Sequence, residues 1–244
     1  MILPVSELEF KASIAGSSFI DIGRQGKFII LELSNNWHIV AHLRMSGRFT
    51  VTSTQPDPST HNRLYLKLSG NKYLNFIDIR RFGTFHLIKD QHSYPGLQRL
   101  GADALDPVWT GARLFAVLQR HKKAVYSCLL DQSIISGVGN IYANEALFRS
   151  RLHPLKPAHT ITQSQTEKLL HGVVNILSTS LAFKGTTLLD NSYKDTDGDP
   201  GKFRKLLKVY GRENEPCSVC GNAIKRIRVG NRSVFFCLEC QSVC

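Results

Sequence analysis

Residues 217–240 read Cys217-Ser-Val-Cys-Gly-Asn-Ala-Ile-Lys-Arg-Ile-Arg-Val-Gly-Asn-Arg-Ser-Val-Phe-Phe-Cys-Leu-Glu-Cys240, two Cys-x2-Cys pairs with sixteen residues between them. A two-residue gap lets both thiolates of a pair point at one ion. Two such turns at the ends of a hairpin complete a tetrahedral S4 shell of the kind zinc prefers. Two disulfides, or cysteines that merely pack, are the competing readings. The matched spacing and Gly221 directly after the first pair favour metal. Four protein ligands, Cys217, Cys220, Cys237 and Cys240, leave no position for water, so the expected cofactor is one structural Zn2+ that folds a segment too small to fold alone. Of the other cysteines, Cys128 lies on an apolar helical stretch and reads as core, and Cys244 is a terminal leftover.

The hairpin sits in strongly basic surroundings. The chain carries 31 Lys and Arg against 19 Asp and Glu, a formal charge of +12, which favours an anionic polymer as partner. Between Lys202 and Arg232 lie nine basic residues and two acidic ones, Glu213 and Glu215. A solvated basic face is the bland alternative; concentration around a zinc hairpin points to nucleic acid. With 244 residues and 42% hydrophobic content, the chain can bury a core and divides into two domains plus the zinc appendage. Its apolar stretches are strand-sized and interrupted, with neither a signal peptide nor a membrane span, so a cytoplasmic, soluble monomer is expected.

Upstream of the hairpin the hydrophobic period changes once. From Phe19 to Ile88 short β-prone runs alternate with breakers: Phe19–Ile22, Phe28–Leu33, His38–His42, Arg48–Thr52, Leu64–Leu68, Tyr73–Ile77 and Thr84–Ile88. That pattern predicts an antiparallel sandwich or barrel. From Trp109 the period is helical, with Leu114 and Leu118, Val125 and Leu129, then Leu169, Val173, Leu177 and Leu181 at four-residue spacing. Ser164-x-x-Glu167 is a candidate capping box for the last helix. Between these helices Ser136-Gly-Val-Gly-Asn140 feeds a helix, an arrangement that aims backbone N–H groups and Asn140 outward as a phosphate site, or that serves as an ordinary interhelical turn. The polar loop from Lys184 to Gly201 is too long for a simple connector.

Six ordered motifs between about Phe10 and Gln241 carry a resemblance: Arg24-Gln-Gly-Lys-Phe28, His42-Leu-Arg-Met-Ser-Gly47, Asp78-Ile-Arg-Arg-Phe-Gly83, Gly137-Val-Gly-Asn-Ile-Tyr-Ala-Asn-Glu-Ala-Leu-Phe148, Val209-Tyr-Gly-Arg212 and the four-cysteine hairpin. Together they resemble the bacterial formamidopyrimidine-DNA glycosylase family, with endonuclease VIII as its sister branch. The resemblance implies an α+β chain with a partial N-terminal β-sandwich catalytic domain (1–97), a helix-two-turn-helix DNA-binding domain (108–195) and a zinc finger (205–244). It implies a base-excision repair glycosylase with AP lyase activity, acting in the cytoplasm at the nucleoid on double-stranded DNA that contains oxidised purines or abasic sites. The damaged base would be flipped out of the stack. Met45 and Phe82 would fill the vacated space and Arg80 would hydrogen-bond the orphaned base, although without the resemblance Met45 and Phe82 read as core. Lys27 would contact phosphate beside the lesion and assist elimination; Arg232, at the hairpin tip, would clamp phosphates and aid strand cleavage. Asn140, Lys122 and His61 would be further DNA contacts.

The chain also departs from that pattern. The family begins with a proline whose free amine attacks the sugar, followed by a glutamate, whereas this chain opens Met1-Ile-Leu-Pro-Val-Ser, with Pro4 internal. The expectation is an N-terminally truncated copy; a catalytically silent protein that binds damaged DNA is the alternative. A zinc-ribbon protein of transcription or translation would explain the cysteines but not the Gly137–Phe148 helix or the Arg80–Gly83 turn. Tyr126 stands where the family commonly has a lysine, with Lys122 and Lys123 as possible substitutes, and Lys184 replaces a glycine in the loop that covers the flipped base.

Overall fold

The structure, a computed structural model, describes residues 2–3, 5–57, 61–186 and 201–242. Pro4, most of the loop expected between Lys184 and Gly201, and Cys244 lie outside the described residues. The chain divides into two compact units, residues 1–98 with 183–204 and residues 99–182 with 205–244.

The first unit is the antiparallel sandwich expected from its alternating runs. One sheet takes β1 (Ile2–Leu3), β2 (Phe19–Gln25), β3 (Phe28–Leu33), β4 (His38–His42) and β8 (Thr84–Ile88) in the order β1-β8-β4-β3-β2; only β1 against β8 is parallel. The other takes β5 (Arg48–Thr52), β6 (Asn62–Leu68) and β7 (Lys72–Ile77) in the order β5-β7-β6. Leu31, Leu33, Ile39, Ala41, Phe85 and Leu87 from the first sheet share one core with Phe76 of the second. Phe76 and Phe85 meet edge to face at 4.7 Å, and Phe49 closes on both. Such a pair adds about 0.5–1.5 kcal/mol beyond burial. A helix that the β-prone pattern does not announce precedes the long strands. α1 (Glu7–Ile14) begins where Ser6 accepts the N–H of Glu9 and drives Phe10, 1% exposed, into the same core.

The second unit packs α3 (Gly111–Leu118), α4 (Val125–Leu130), α5 (Asn140–Arg149) and α6 (Gln163–Ala182); a short α2 (Pro95–Gln98) belongs to the first unit. Leu114, Leu118, Val125 and Leu129 are buried as their spacing predicts. Along α6 the four-residue row drifts off the core: Leu169 and Val173 are buried, but Leu181 is 67% exposed. Each four-residue step advances about 40° beyond a full turn, so Leu181 points roughly 120° from Leu169. The burial passes instead to Ile176 and Ser180. The capping box is also displaced. Thr162 Oγ1 accepts the N–H of Gln165 and Gln165 Oε1 accepts that of Thr162, so α6 starts two residues before the expected Ser164–Glu167 box.

β9 (Lys225–Val229) and β10 (Arg232–Phe236) form the C-terminal hairpin, with Arg232 paired to Val229 across the turn. Among the described residues no helix is long and apolar enough to cross a membrane.

Candidate nucleic-acid interface

In the first unit, one carboxylate organises two loops. Asp78, fully buried, accepts the Ser46 hydroxyl at 2.5 Å and the backbone N–H groups of Gly83 at 2.8 Å and Arg80 at 3.2 Å. Burial works to raise its carboxyl, but the Ser46 hydroxyl and the Gly83, Arg80 and Phe82 amides outweigh it and hold the group below its ordinary value. The loop after β4 and the loop after β7 are thus stapled together. Two glycines let them close: a Cβ on Gly83 would lie 2.3 Å from the Phe76 ring, and one on Gly47 would lie 2.5 Å from the Leu43 carbonyl oxygen.

What these loops display is apolar and outward. Met45 is 64% exposed and Phe82 51% exposed, with the Arg80 guanidinium 5.1 Å over the Phe82 ring. The core placement that burial statistics favour for Met45 and Phe82 does not hold, because the Asp78 staple turns both loops away from the sandwich interior. His61 is exposed in a left-handed conformation just before β6, where its ring meets the Arg63 guanidinium at 3.1 Å.

Lys27 sits in the tight β2–β3 turn after Gly26 and is partly buried. On the neighbouring strand β4, His42 pairs with Phe28, which packs edge-on against it. Burial, then the Arg44 and Lys27 charges, push His42 down to about 4. Its Nδ1 accepts the Arg44 N–H at 2.9 Å, so the neutral ring carries its proton on Nε2. Lys27 and Arg44 therefore supply the charge here and His42 a neutral donor.

In the second unit, the Gly137–Phe148 motif docks the zinc hairpin. Glu145, fully buried, accepts three backbone N–H groups, from Lys208, Val209 and Tyr210, each at 2.9 Å. Asn144 Oδ1 accepts the N–H of Phe235 on β10 at 2.6 Å. Gln241 accepts the Cys237 N–H and donates to the Leu152 carbonyl. Phe148, Val209, Ile224 and Phe235 then form a common apolar core with Cys217 and Cys237. Sequence reasoning saw the motif but not these roles. The available signal was a polar Asn144-Glu145 pair inside an otherwise apolar helical stretch.

The loop before α5 is shaped by Asp131 and Gln132. Asp131 pairs with Lys123 at 2.5 Å and accepts from Ser133, and these contacts hold its carboxyl down at about 2. Gln132 accepts the Gly137 N–H and donates to the Val138 carbonyl. Both lysines are exposed, but Lys123 is thereby committed to Asp131.

Asn140 opens α5, but its side chain does not stand clear as expected. Its oxygen accepts the Tyr126 hydroxyl at 2.6 Å and the Asn144 amide at 3.0 Å, while its nitrogen reaches the Ser233 carbonyl at 3.3 Å. Tyr126 lines a cleft of about 280 Å³ with Ser127, Leu130, Asp131, Val229, Asn231 and Arg232. The exposed Arg232 thus shares a cleft with Tyr126.

The four cysteines converge. Their sulfurs all lie within 4.8 Å of one another, with Cys217 to Cys240 at 3.9 Å and Cys220 to Cys237 at 3.4 Å. Zn–S bonds of about 2.3 Å in a tetrahedron require sulfurs about 3.8 Å apart, so the residues fit a structural zinc. Burial and then the neighbouring Cys220, Cys237 and Cys217 sulfurs push Cys240 up to about 12, a crowding that a divalent cation relieves. Arg212 and Arg226, counted among the basic residues of this region, are held by Glu215 and Glu213.

Fold and site define a class: a zinc-hairpin protein with a β-sandwich unit and a helical unit, bearing cationic, amide and exposed apolar side chains. Residues 2–85 match the formamidopyrimidine-DNA glycosylase N-terminal domain, 100–192 the formamidopyrimidine-DNA glycosylase H2TH domain, and 214–243 the zinc finger found in FPG and IleRS. The formamidopyrimidine-DNA glycosylase of Desulfitobacterium hafniense is 38% identical over 237 residues, covering 96% of this chain and 86% of the relative. The crystal structure of MutM (FPG) from Thermus thermophilus superposes with a TM-score of 0.86 at 38% identity, covering 93% of this chain and 84% of that one. A complex of Lactococcus lactis Fpg with DNA containing an abasic site gives 0.88 at 28% identity, covering 96% and 86%. The chain belongs to the formamidopyrimidine-DNA glycosylase family.

Proposed function

We propose that this protein is a base-excision repair DNA glycosylase with AP lyase activity, acting on duplexes that carry oxidised purines such as formamidopyrimidine and 8-oxoguanine. The observation that carries the reading is the pair of loops stapled at Asp78, which hold Met45 and Phe82 in solvent. Leaving two large apolar groups exposed on rigid loops is unfavourable unless something apolar receives them. A base stack from which one nucleotide has been extruded is such a receiver. Met45 and Phe82 fill the gap, and Arg80, beside Phe82, hydrogen-bonds the base left without a partner.

Phosphates are gripped by cations and donors: Lys27 and His61 on the sandwich unit, Lys122, Asn140 and Arg232 on the helical unit. Lys27 beside the lesion phosphate stabilises charge as the strand is eliminated, and Arg232 does the same from the hairpin tip. The zinc holds that tip in place and takes no part in bond breaking. Such a protein works at the nucleoid, in the cytoplasm.

The test is base release. The zinc-loaded protein is incubated with duplexes containing 8-oxoguanine or a formamidopyrimidine, and binding to the same duplexes is measured in parallel. Selective binding is expected of the chain itself, and release where its N-terminus supplies the family's free proline amine. Selective binding without release even then would favour the silent damage-binding reading, and neither would overturn both.

A further inference from the structure

The assignment of Asn140 as a phosphate contact leaves open which end of its carboxamide faces the DNA. Carbonyl and amide ends have similar shape but opposite polarity, and only the N–H end attracts a phosphate oxygen. The structure decides between them through two neighbours. The Asn140 oxygen accepts the Tyr126 hydroxyl at 2.6 Å and the Asn144 amide at 3.0 Å, which occupies both of its lone pairs. One N–H then leans on the Ser233 carbonyl at 3.3 Å; the other has no partner among the described residues.

We propose that Tyr126 is a positioning residue for DNA binding: its hydroxyl locks the Asn140 carboxamide with oxygen inward and N–H groups outward, so that the start of α5 meets a phosphate with donors alone. The proposal rests on Asn140 contacting DNA. Turning the amide over would set its nitrogen against the Asn144 nitrogen, donor facing donor, and would strip the Tyr126 hydroxyl of its acceptor. Tyr126 is itself fixed, 1% exposed, with the ring wedged into the helical core. Burial holds the phenol proton, with a pKa pushed up to about 12, so the hydroxyl remains a donor throughout the physiological range. Position 126 thus acts without adding charge. Arg232, which shares the cleft, supplies the cation.

The experiment is a double-mutant cycle on the zinc-loaded full chain, reading affinity for a duplex with a tetrahydrofuran abasic-site analogue and thermal stability together. Tyr126→Phe keeps the ring and should weaken DNA binding about 3- to 10-fold. Asn140→Ala should weaken it about tenfold or more. In the Asn140→Ala background, Tyr126→Phe should have no further effect on affinity, a coupling that mere packing would not produce. Asn140→Asp keeps both inward acceptor contacts but removes the donors, the one on the Ser233 carbonyl included, so it should melt somewhat below wild type and bind DNA more weakly than Asn140→Ala.

If Asn140→Ala weakens binding and Tyr126→Phe does not, the positioning role is wrong while the DNA contact stands. Equal losses from Tyr126→Phe in both backgrounds also overturn it. Should Asn140→Ala bind as wild type, the contact itself fails and the proposal falls with it.

Discussion

Glu145 offers a quantitative test of how the zinc hairpin is held. Its buried carboxylate accepts three backbone N–H groups, two on Oε1 from Val209 and Tyr210 and one on Oε2 from Lys208. Hydrogen bonds to a charged group contribute about 1.5–3 kcal/mol each, and a buried donor left unmatched costs about 1–3 kcal/mol. The three share one acceptor group and do not sum, so Glu145→Ala is expected to destabilise the protein by about 3–5 kcal/mol. Glu145→Gln is the sharper change. If its oxygen stays with Val209 and Tyr210, its new amide faces the Lys208 N–H donor to donor, for a loss of roughly 2 kcal/mol. For a chain of this length that is about 4–8 °C in the melting temperature. The assay is thermal unfolding with zinc in excess, followed by far-ultraviolet circular dichroism. A shift below about 2 °C for Glu145→Gln would refute the reasoning, since it would mean that the three N–H groups do not depend on the charge.

The other expectations concern the loops and the metal. Asp78→Asn should destabilise by about 2–3 kcal/mol, because an amide has one oxygen and cannot accept both the Arg80 N–H and the Gly83 N–H, which lie on different carboxylate oxygens. The same group fixes a pH dependence. Its folded pKa lies below the ordinary 3.8, so its contribution is fully present above that value and is lost as pH falls through the folded pKa; wild type but not Asp78→Asn should show that added acid sensitivity. Gly83→Ala should lower both stability and damaged-DNA affinity, because the new methyl must displace the Phe76 ring; an unchanged melting temperature would show that the ring yields freely. Zinc chelation should unfold the hairpin and release DNA, leaving the sandwich unit's circular dichroism in place, and loss of the whole fold instead would count against the two-unit division.

How much of this was legible in the sequence differs by element. β3, β4, β5 and β8 fall on the β-prone runs set off by turn residues, because those breakers are chemically distinct; of the four only β8 also alternates in burial, with Phe85 and Leu87 inward. The tail of α6 was misread because a four-residue row outruns the 3.6-residue turn, which Leu181 shows by pointing into solvent. α1 was passed over although Ser6-x-x-Glu9 carries a capping signature, because its single buried residue, Phe10, makes too little of an apolar stripe.

At the site, the sulfur cluster was readable from spacing alone, since a Cys-x2-Cys turn leaves its ligands little choice of direction. The roles of Asp78, Asn144 and Glu145 were not. Asn144 and Glu145 bind backbone N–H groups distant in the chain, 91 residues away for Asn144 and Phe235, and nothing local encodes those contacts; Asp78 binds the nearby Arg80 and Gly83 N–H groups, but its partner across the loops is the Ser46 hydroxyl, 32 residues back. Tyr126 was visible only as a departure. Its hydrogen bond to Asn140 needed three dimensions.

On the proposed function, damaged DNA is recognised by side chains that the Asp78 staple holds out to fill a gap in the base stack. The most direct measurement is fluorescence anisotropy at fixed salt with two duplexes of the same sequence, one intact and one carrying a tetrahydrofuran abasic-site analogue. An intact duplex must be unstacked at a cost of a few kcal/mol before Met45 and Phe82 can enter, so the protein should prefer the gapped duplex by about tenfold or more, and Met45→Ala with Phe82→Ala should erase most of that preference. Equal affinity of the wild-type protein for both duplexes would contradict the account.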